Sequence, residues 1–240
     1  MKFKPYFCIV RKKYERKAMK EITGLLVMDV DGTLIRQEGI DLLAQVAGVG
    51  EKVAKITAQA MNGKLDFATS LEARVALLKG LETSIFPKIL EQIEVTPGAD
   101  RLITELHQRS YKVGLVSGGF HEVIDPIARS LGIDLVRANR LQTSDGRLTG
   151  EVLGEIVTPE MKKESLLTWA RENYVPRSQT IAMGDGANDL LMIETAGIGI
   201  AFMAKPIVAE RAPYRIEKRD LSLVLEILDK YRKETACISY

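Results

Sequence analysis

Leu25-Leu26-Val27-Met28-Asp29-Val30-Asp31-Gly32-Thr33 decides how this chain is read. Four apolar residues in succession, broken off at a carboxylate, suit a short strand buried on both faces of a parallel sheet. Two later runs are built the same way. Val113-Gly114-Leu115-Val116 stops at Ser117-Gly118-Gly119, and Thr180-Ile181-Ala182-Met183 stops at Gly184-Asp185-Gly186-Ala187-Asn188-Asp189. Open parallel sheets bind ligands beyond the carboxyl ends of their strands, so these three polar clusters are expected to meet in one crevice.

Outward from these strands, the spacing predicts helices over Ala99–Gln108, His121–Leu131, Met161–Glu172, Leu190–Ala196 and Leu221–Tyr231. Short strands are expected near Leu135-Val136 and over Ile198–Ala201, and Asp145-Gly146 marks a hairpin. The alternation gives an α/β fold with a doubly wound, mostly parallel, Rossmann-like sheet. Between Glu38 and about Glu94 the period is helical throughout, punctuated by Gly48, Gly50, Gly63 and Gly80. Residues 22–36 and 96–240 are therefore read as the core, 37–95 as a small helical cap, and 1–21 as a basic extension outside the catalytic body.

Among 240 residues, 46% are hydrophobic and 28% charged, ordinary values for a globular chain. No apolar run approaches the roughly 20 residues of a membrane span. Cys8 and Cys237 form no metal-ligand or redox pattern. A cytoplasmic protein with reduced thiols is expected. Residues 1–18 hold seven basic side chains and one acid, leaving a mildly acidic body. This arm shows no periodicity that would organise a nucleic-acid or membrane surface, so neither partner is expected. Its loss should spare catalysis. Monomer and homodimer both stay open.

Asp29, Asp31, Asp185 and Asp189 would bring four carboxylates into one small volume, where their repulsion calls for a cation. Oxygen ligands without histidine or cysteine favour Mg²⁺ over zinc. Such an ion keeps open positions for substrate phosphate and can polarise a phosphoryl group. Phosphate monoesters need accelerations of up to about 10²¹-fold, which favours a covalent route in two steps and added donors on the phosphoryl oxygens. Ser117, the amides of Gly118 and Gly119 at a helix N-terminus, and a lysine could supply those donors.

Asp29-Val30-Asp31-Gly32-Thr33, Ser117, Lys162 and Gly184-Asp185-Gly186-Ala187-Asn188-Asp189 resemble, in order, the four motifs of the haloacid dehalogenase superfamily. Val116-Ser117-Gly118-Gly119-Phe120, Ala138-Asn139-Arg140-Leu141, Asp145-Gly146-Arg147-Leu148-Thr149-Gly150 and Ala204-Lys205-Pro206 bring the resemblance closest to the members that hydrolyse O-phosphoserine. It runs from about Leu25 to Leu228. The resemblance implies Asp29 as nucleophile and Asp31 as general acid, then base. It implies Ser117, Gly118, Lys162 and Asn188 as phosphate-binding residues. It also implies Mg²⁺ on the Asp29 carboxylate, the Asp31 backbone carbonyl and Asp185, with Asp189 in support. Glu38 and Arg74 match the residues that receive the substrate's ammonium and carboxylate, and Met61 and Phe67 match an apolar lid. The substrate is then a small phosphate ester, phosphoserine first, with another monoester or another acceptor as the alternative. Gly32 departs from the serine common in that branch.

Other readings are blander. Asp29 and Asp31 could be turn acids bonded to their own backbone, and Glu38 or Arg74 solvated helix charges. Lys162 has Lys163 as a one-residue alternative. His107 and His121 are assigned no catalysis, and Trp169 reads as core. A non-enzymatic scaffold would not need all four motifs intact.

Overall fold

The computed structural model describes residues 21–61 and 64–238, with side chains described to residue 235 except at position 61. The basic arm and Cys8 therefore lie outside the described residues, as do the side chains of Met61 and Cys237.

The chain enters through β1 (Gly24–Met28), makes a wide turn over Val30–Leu34, and continues into helices α1 (Gly39–Val46), α2 (Gly50–Met61), α3 (Phe67–Ala76) and α4 (Phe86–Leu90). It then alternates through α5 (Ala99–Gln108), β2 (Tyr111–Phe120), α6 (His121–Leu131) and β3 (Leu135–Asn139). The hairpin β4 (Leu141–Ser144) and β5 (Arg147–Val152) follows, then α7 (Pro159–Glu172), β6 (Thr180–Gly184), α8 (Leu190–Thr195) and β7 (Ile198–Phe202). α9 (Pro206–Arg211), β8 (Tyr214–Ile216) and α10 (Leu223–Ile238) complete it.

Six strands form one sheet in the order β3-β2-β1-β6-β7-β8, every pairing parallel. β1 lies in the middle, paired to β2 on one side and β6 on the other, so the three strands with polar ends are adjacent. Its residues alternate between two cores as strand geometry requires. Leu26 and Met28 join the side packed by α5 and α6 residues such as Leu102, Leu106, Val123 and Ile127. Leu25 and Val27 join the side packed by Leu166 and Trp169 of α7. This is why the first motif reads as an unbroken apolar run. Among the described residues no helix is long and apolar enough to cross a membrane.

The hairpin at Asp145-Gly146 forms as expected, as a separate two-stranded sheet, with both turn residues at positive φ. α9 and β8 have no counterpart in the sequence reading; each is short, six and three residues, too brief to show a period. β2 is longer than expected. It runs past Ser117 to Phe120, with its pairing to β3 broken between Val116 and Phe120.

Candidate active site

Asp29 follows the last residue of β1, its amide donating to the Met183 carbonyl of β6 at 3.0 Å. The turn that follows is closed by the Ile35 amide on the Val30 carbonyl at 2.9 Å. Gly32 stands in it at φ +73°, where a side chain is strained, and a methyl there would lie 3.0 Å from the Asp185 carboxylate. Glycine thus suits this loop on two counts: the backbone hand and the close approach of the acidic strand end.

Lys162 comes from the first turn of α7, capped by Thr158, whose hydroxyl accepts from the Met161 amide. Its ammonium donates to Asp29 Oδ1 at 2.7 Å and to Asp189 Oδ1 at 2.8 Å. All three side chains are buried: Lys162 is 1%, Asp29 4% and Asp189 0% exposed. Lys162 shares the buried stripe of α7 with Ser165, Leu166 and Trp169, whereas Lys163 lies off it. Motif context alone favours Lys162 in the sequence; the helical spacing to Ser165, Leu166 and Trp169 is a signal that could have separated the two lysines. Burial alone would lower the Lys162 pKa, but Asp189 and Asp29 outweigh it and hold the ammonium charged. Asp29 is pushed well above the usual carboxylate range by burial and then by Asp189, against the opposing pull of Lys162.

The Asp31 carboxylate turns the other way. One oxygen accepts from the Gly39 amide at 2.7 Å and the other from the Ser117 hydroxyl at 3.0 Å. Burial raises its pKa while the Gly39 hydrogen bond resists. Ser117 Oγ in turn accepts from the Gly119 amide at 2.8 Å. The sequence reading set the Gly118 and Gly119 amides at a helix N-terminus. Here β2 carries both glycines and α6 begins only at His121, so the Gly119 amide is engaged inside its own loop. Gly118 is held from the far side, its carbonyl accepting from Asn139 Nδ2 at 2.8 Å.

These groups open on a cavity of about 450 Å³. Asp29, Asp31, Asp185, Asn188, Gly118 and Gly119 line its floor, and Glu38, Thr57, Phe67, Ser70 and Arg74 line the side formed by the inserted helices. Phe67 sits directly on the serine loop: a methyl at Gly118 would meet its ring at 2.7 Å. Glu38 precedes α1 without capping it, and burial followed by repulsion from Asp31 and Asp185 raises its pKa to about 7. Asp185 is raised to about 6 by burial and then by Asp189. The Arg74 pKa is lowered by burial, and its Nε donates to the Ser70 carbonyl at 3.1 Å.

The structure thus gathers Asp29, Asp31, Asp185, Asp189, Ser117, Gly118, Lys162, Asn188, Glu38, Phe67 and Arg74 around one space. Lys205, quoted above only within a shared stretch, also lines it and donates its amide to the Asp185 carbonyl at 3.0 Å. Ser70 and Thr57 had no sequence signal beyond helical position. His107 and His121 lie apart, each against an aspartate, Asp134 and Asp125.

Asp29, Asp185 and Asp189 each place one carboxylate oxygen within 4.8 Å of the other two. Among the described residues, no histidine or cysteine lines the cavity. An all-oxygen donor set of this kind fits a hard cation. Among the described residues, five carboxylates (Asp29, Asp31, Glu38, Asp185, Asp189) and three cationic side chains (Lys162, Arg74, Lys205) line or adjoin the cavity, so that with every group ionised the carboxylates would outnumber the cations by two.

The chain belongs to the haloacid dehalogenase-like hydrolase family, whose model matches residues 26–194. The phosphoserine phosphatase of Streptococcus thermophilus is 60% identical over 215 residues, covering 90% of this chain and 100% of that protein. A solved phospho-aspartyl intermediate analogue of phosphoserine phosphatase matches with a TM-score of 0.81 at 45% identity, over 86% of this chain and 99% of that one. A substrate-bound phosphoserine phosphatase complex matches equally well, with a TM-score of 0.81 at 45% identity over 87% and 99%.

Proposed function

We propose that this chain is a phosphoserine phosphatase, hydrolysing O-phosphoserine to serine and phosphate through a phospho-aspartate at Asp29. One observation carries the substrate: a carboxylate and a guanidinium, Glu38 and Arg74, share the cavity with Asp29 and Asp31. Phosphoserine presents an ammonium and a carboxylate beside its phosphate, and opposite charges on the helical side fit both. The names of the relative at 60% identity and of the two solved structures at 45% support the same reading.

In this reading residues 37–95 act as a cap over the core, with Phe67 excluding water. Asp29, the Asp31 carbonyl and Asp185 hold Mg²⁺, and Asp189 braces the site through Lys162. A cation so bound neutralises the carboxylates and polarises the phosphoryl group. Lys162 and Ser117 hold phosphoryl oxygens as Asp29 attacks phosphorus. Asp31 gives its proton to the departing serine oxygen. It then takes a proton from the water that attacks the phospho-aspartate, releasing phosphate and restoring Asp29. Ser117 and Gly39 fix the Asp31 carboxyl for both transfers.

A substrate panel with purified protein tests this. Phosphate release should be fastest from O-phospho-L-serine, slower from phosphothreonine, phosphoethanolamine and sugar phosphates, and absent after chelation until Mg²⁺ is restored. A flat profile across the panel would remove the substrate assignment, and full turnover in chelator would remove the metal. Arg74→Ala should raise KM for carboxylate-bearing substrates about 10–100-fold, the worth of a hydrogen bond between charged groups. Equal losses on phosphoethanolamine would instead assign Arg74 to the cap's packing.

A further inference from the structure

Ser70 lies in the first half of α3 and is 1% exposed. Its hydroxyl has no hydrogen-bond partner among the described residues. Positions 67, 70, 71 and 74 form one helical stripe, and all four line the cavity. Arg74, one turn on, bends back so that Nε donates to the Ser70 carbonyl at 3.1 Å. The guanidinium therefore lies over the Ser70 turn. It carries donors only and cannot accept from the serine hydroxyl. An alanine at this place would favour the helix and leave no polar atom unpaired.

We infer that Ser70 is a specificity-determining residue, its hydroxyl donating to the same substrate carboxylate that Arg74 receives. A carboxylate offers about four lone-pair sites, and a guanidinium fork uses two of them. The anion drawn in by Arg74 supplies the acceptor that the serine proton lacks. Within α3, Ser70 is placed for this by its i, i+4 relation to Arg74. The inference rests on the reading of Arg74 as the carboxylate receiver.

The test is Ser70→Ala, assayed on phosphoserine and on phosphoethanolamine, which lacks the carboxylate. The ratio of kcat/KM for the two substrates should fall about tenfold, through KM rather than kcat. The unfolding midpoint should stay at or above that of the native chain, because the hydroxyl removed has no protein partner. In an Arg74→Ala background the serine effect should vanish, as expected for two groups on one ligand. A ratio within twofold of native, or a tenfold effect that persists without Arg74, overturns the inference while leaving the substrate assignment intact. A native chain that does not prefer phosphoserine over phosphoethanolamine fails the underlying reading, and the inference falls with it.

Discussion

Replacing Asp29 with asparagine is expected to lower kcat for phosphoserine by about 10⁴–10⁶-fold, the scale of loss when one member of a nucleophilic catalytic unit is removed. The substitution is nearly isosteric, and the amide oxygen can still accept from Lys162, 2.7 Å from Oδ1 in the native chain. The loss should therefore be chemical, with the fold kept. Borohydride reduction of acid-quenched native enzyme should trap the acyl phosphate and convert position 29 to homoserine, a product the variant cannot form. Turnover by Asp29→Asn within tenfold of native would instead point to direct attack by water.

Lys162→Met should produce the second large effect, on stability as well as rate. The methionine fills similar space but leaves Asp29 and Asp189 buried without their shared cation. Breaking a buried pair from one side costs about 3–5 kcal/mol. Losing one donor to the phosphoryl group costs about 10²–10³-fold in kcat.

The pH dependence has a definite sign. Asp29 already sits above its unfolded pKa because of burial and Asp189, and removing the ammonium raises it further. A carboxyl whose folded pKa exceeds its unfolded value, about 4, binds more protons folded than unfolded. Variant stability should thus fall as pH rises from about 4 through the raised folded pKa, more steeply than in the native chain. Urea unfolding at a series of pH values between about 5 and 8 measures this. A deficit that does not change with pH would mean that lost packing, not uncompensated charge, is responsible. Added Mg²⁺ should restore part of the stability, since a divalent cation beside Asp29 replaces some of the missing charge.

Much of the core was legible because its signals are local. A strand buried on both faces must be continuously apolar, so Leu25–Met28 and Thr180–Met183 announced themselves. The abrupt change to polar residues at their ends marked where ligand chemistry would gather. The serine loop was harder: Gly118 and Gly119 looked like a helix N-terminus because α6 starts two residues later, yet the chain stays extended to Phe120. Glycine removes the side-chain evidence that would distinguish the two conformations. α9 and β8 span less than two helical turns and one strand repeat or so, and left too little pattern to read.

By itself, the sequence determined the alternation of the longer strands and helices, the acidic strand ends and the hard-cation chemistry they favour. These follow from residue type and spacing within a few positions of one another. Only the tertiary structure decided that Lys162 bridges Asp29 and Asp189, that the Asp31 carboxylate turns toward Ser117 and Gly39, and that the Ser70 hydroxyl has no partner among the described residues. The Lys162–Asp29 contact joins residues 133 positions apart. Such a contact depends on how two layers pack across a sheet, and its electrostatic worth on how completely they exclude water; neither quantity is written in local spacing.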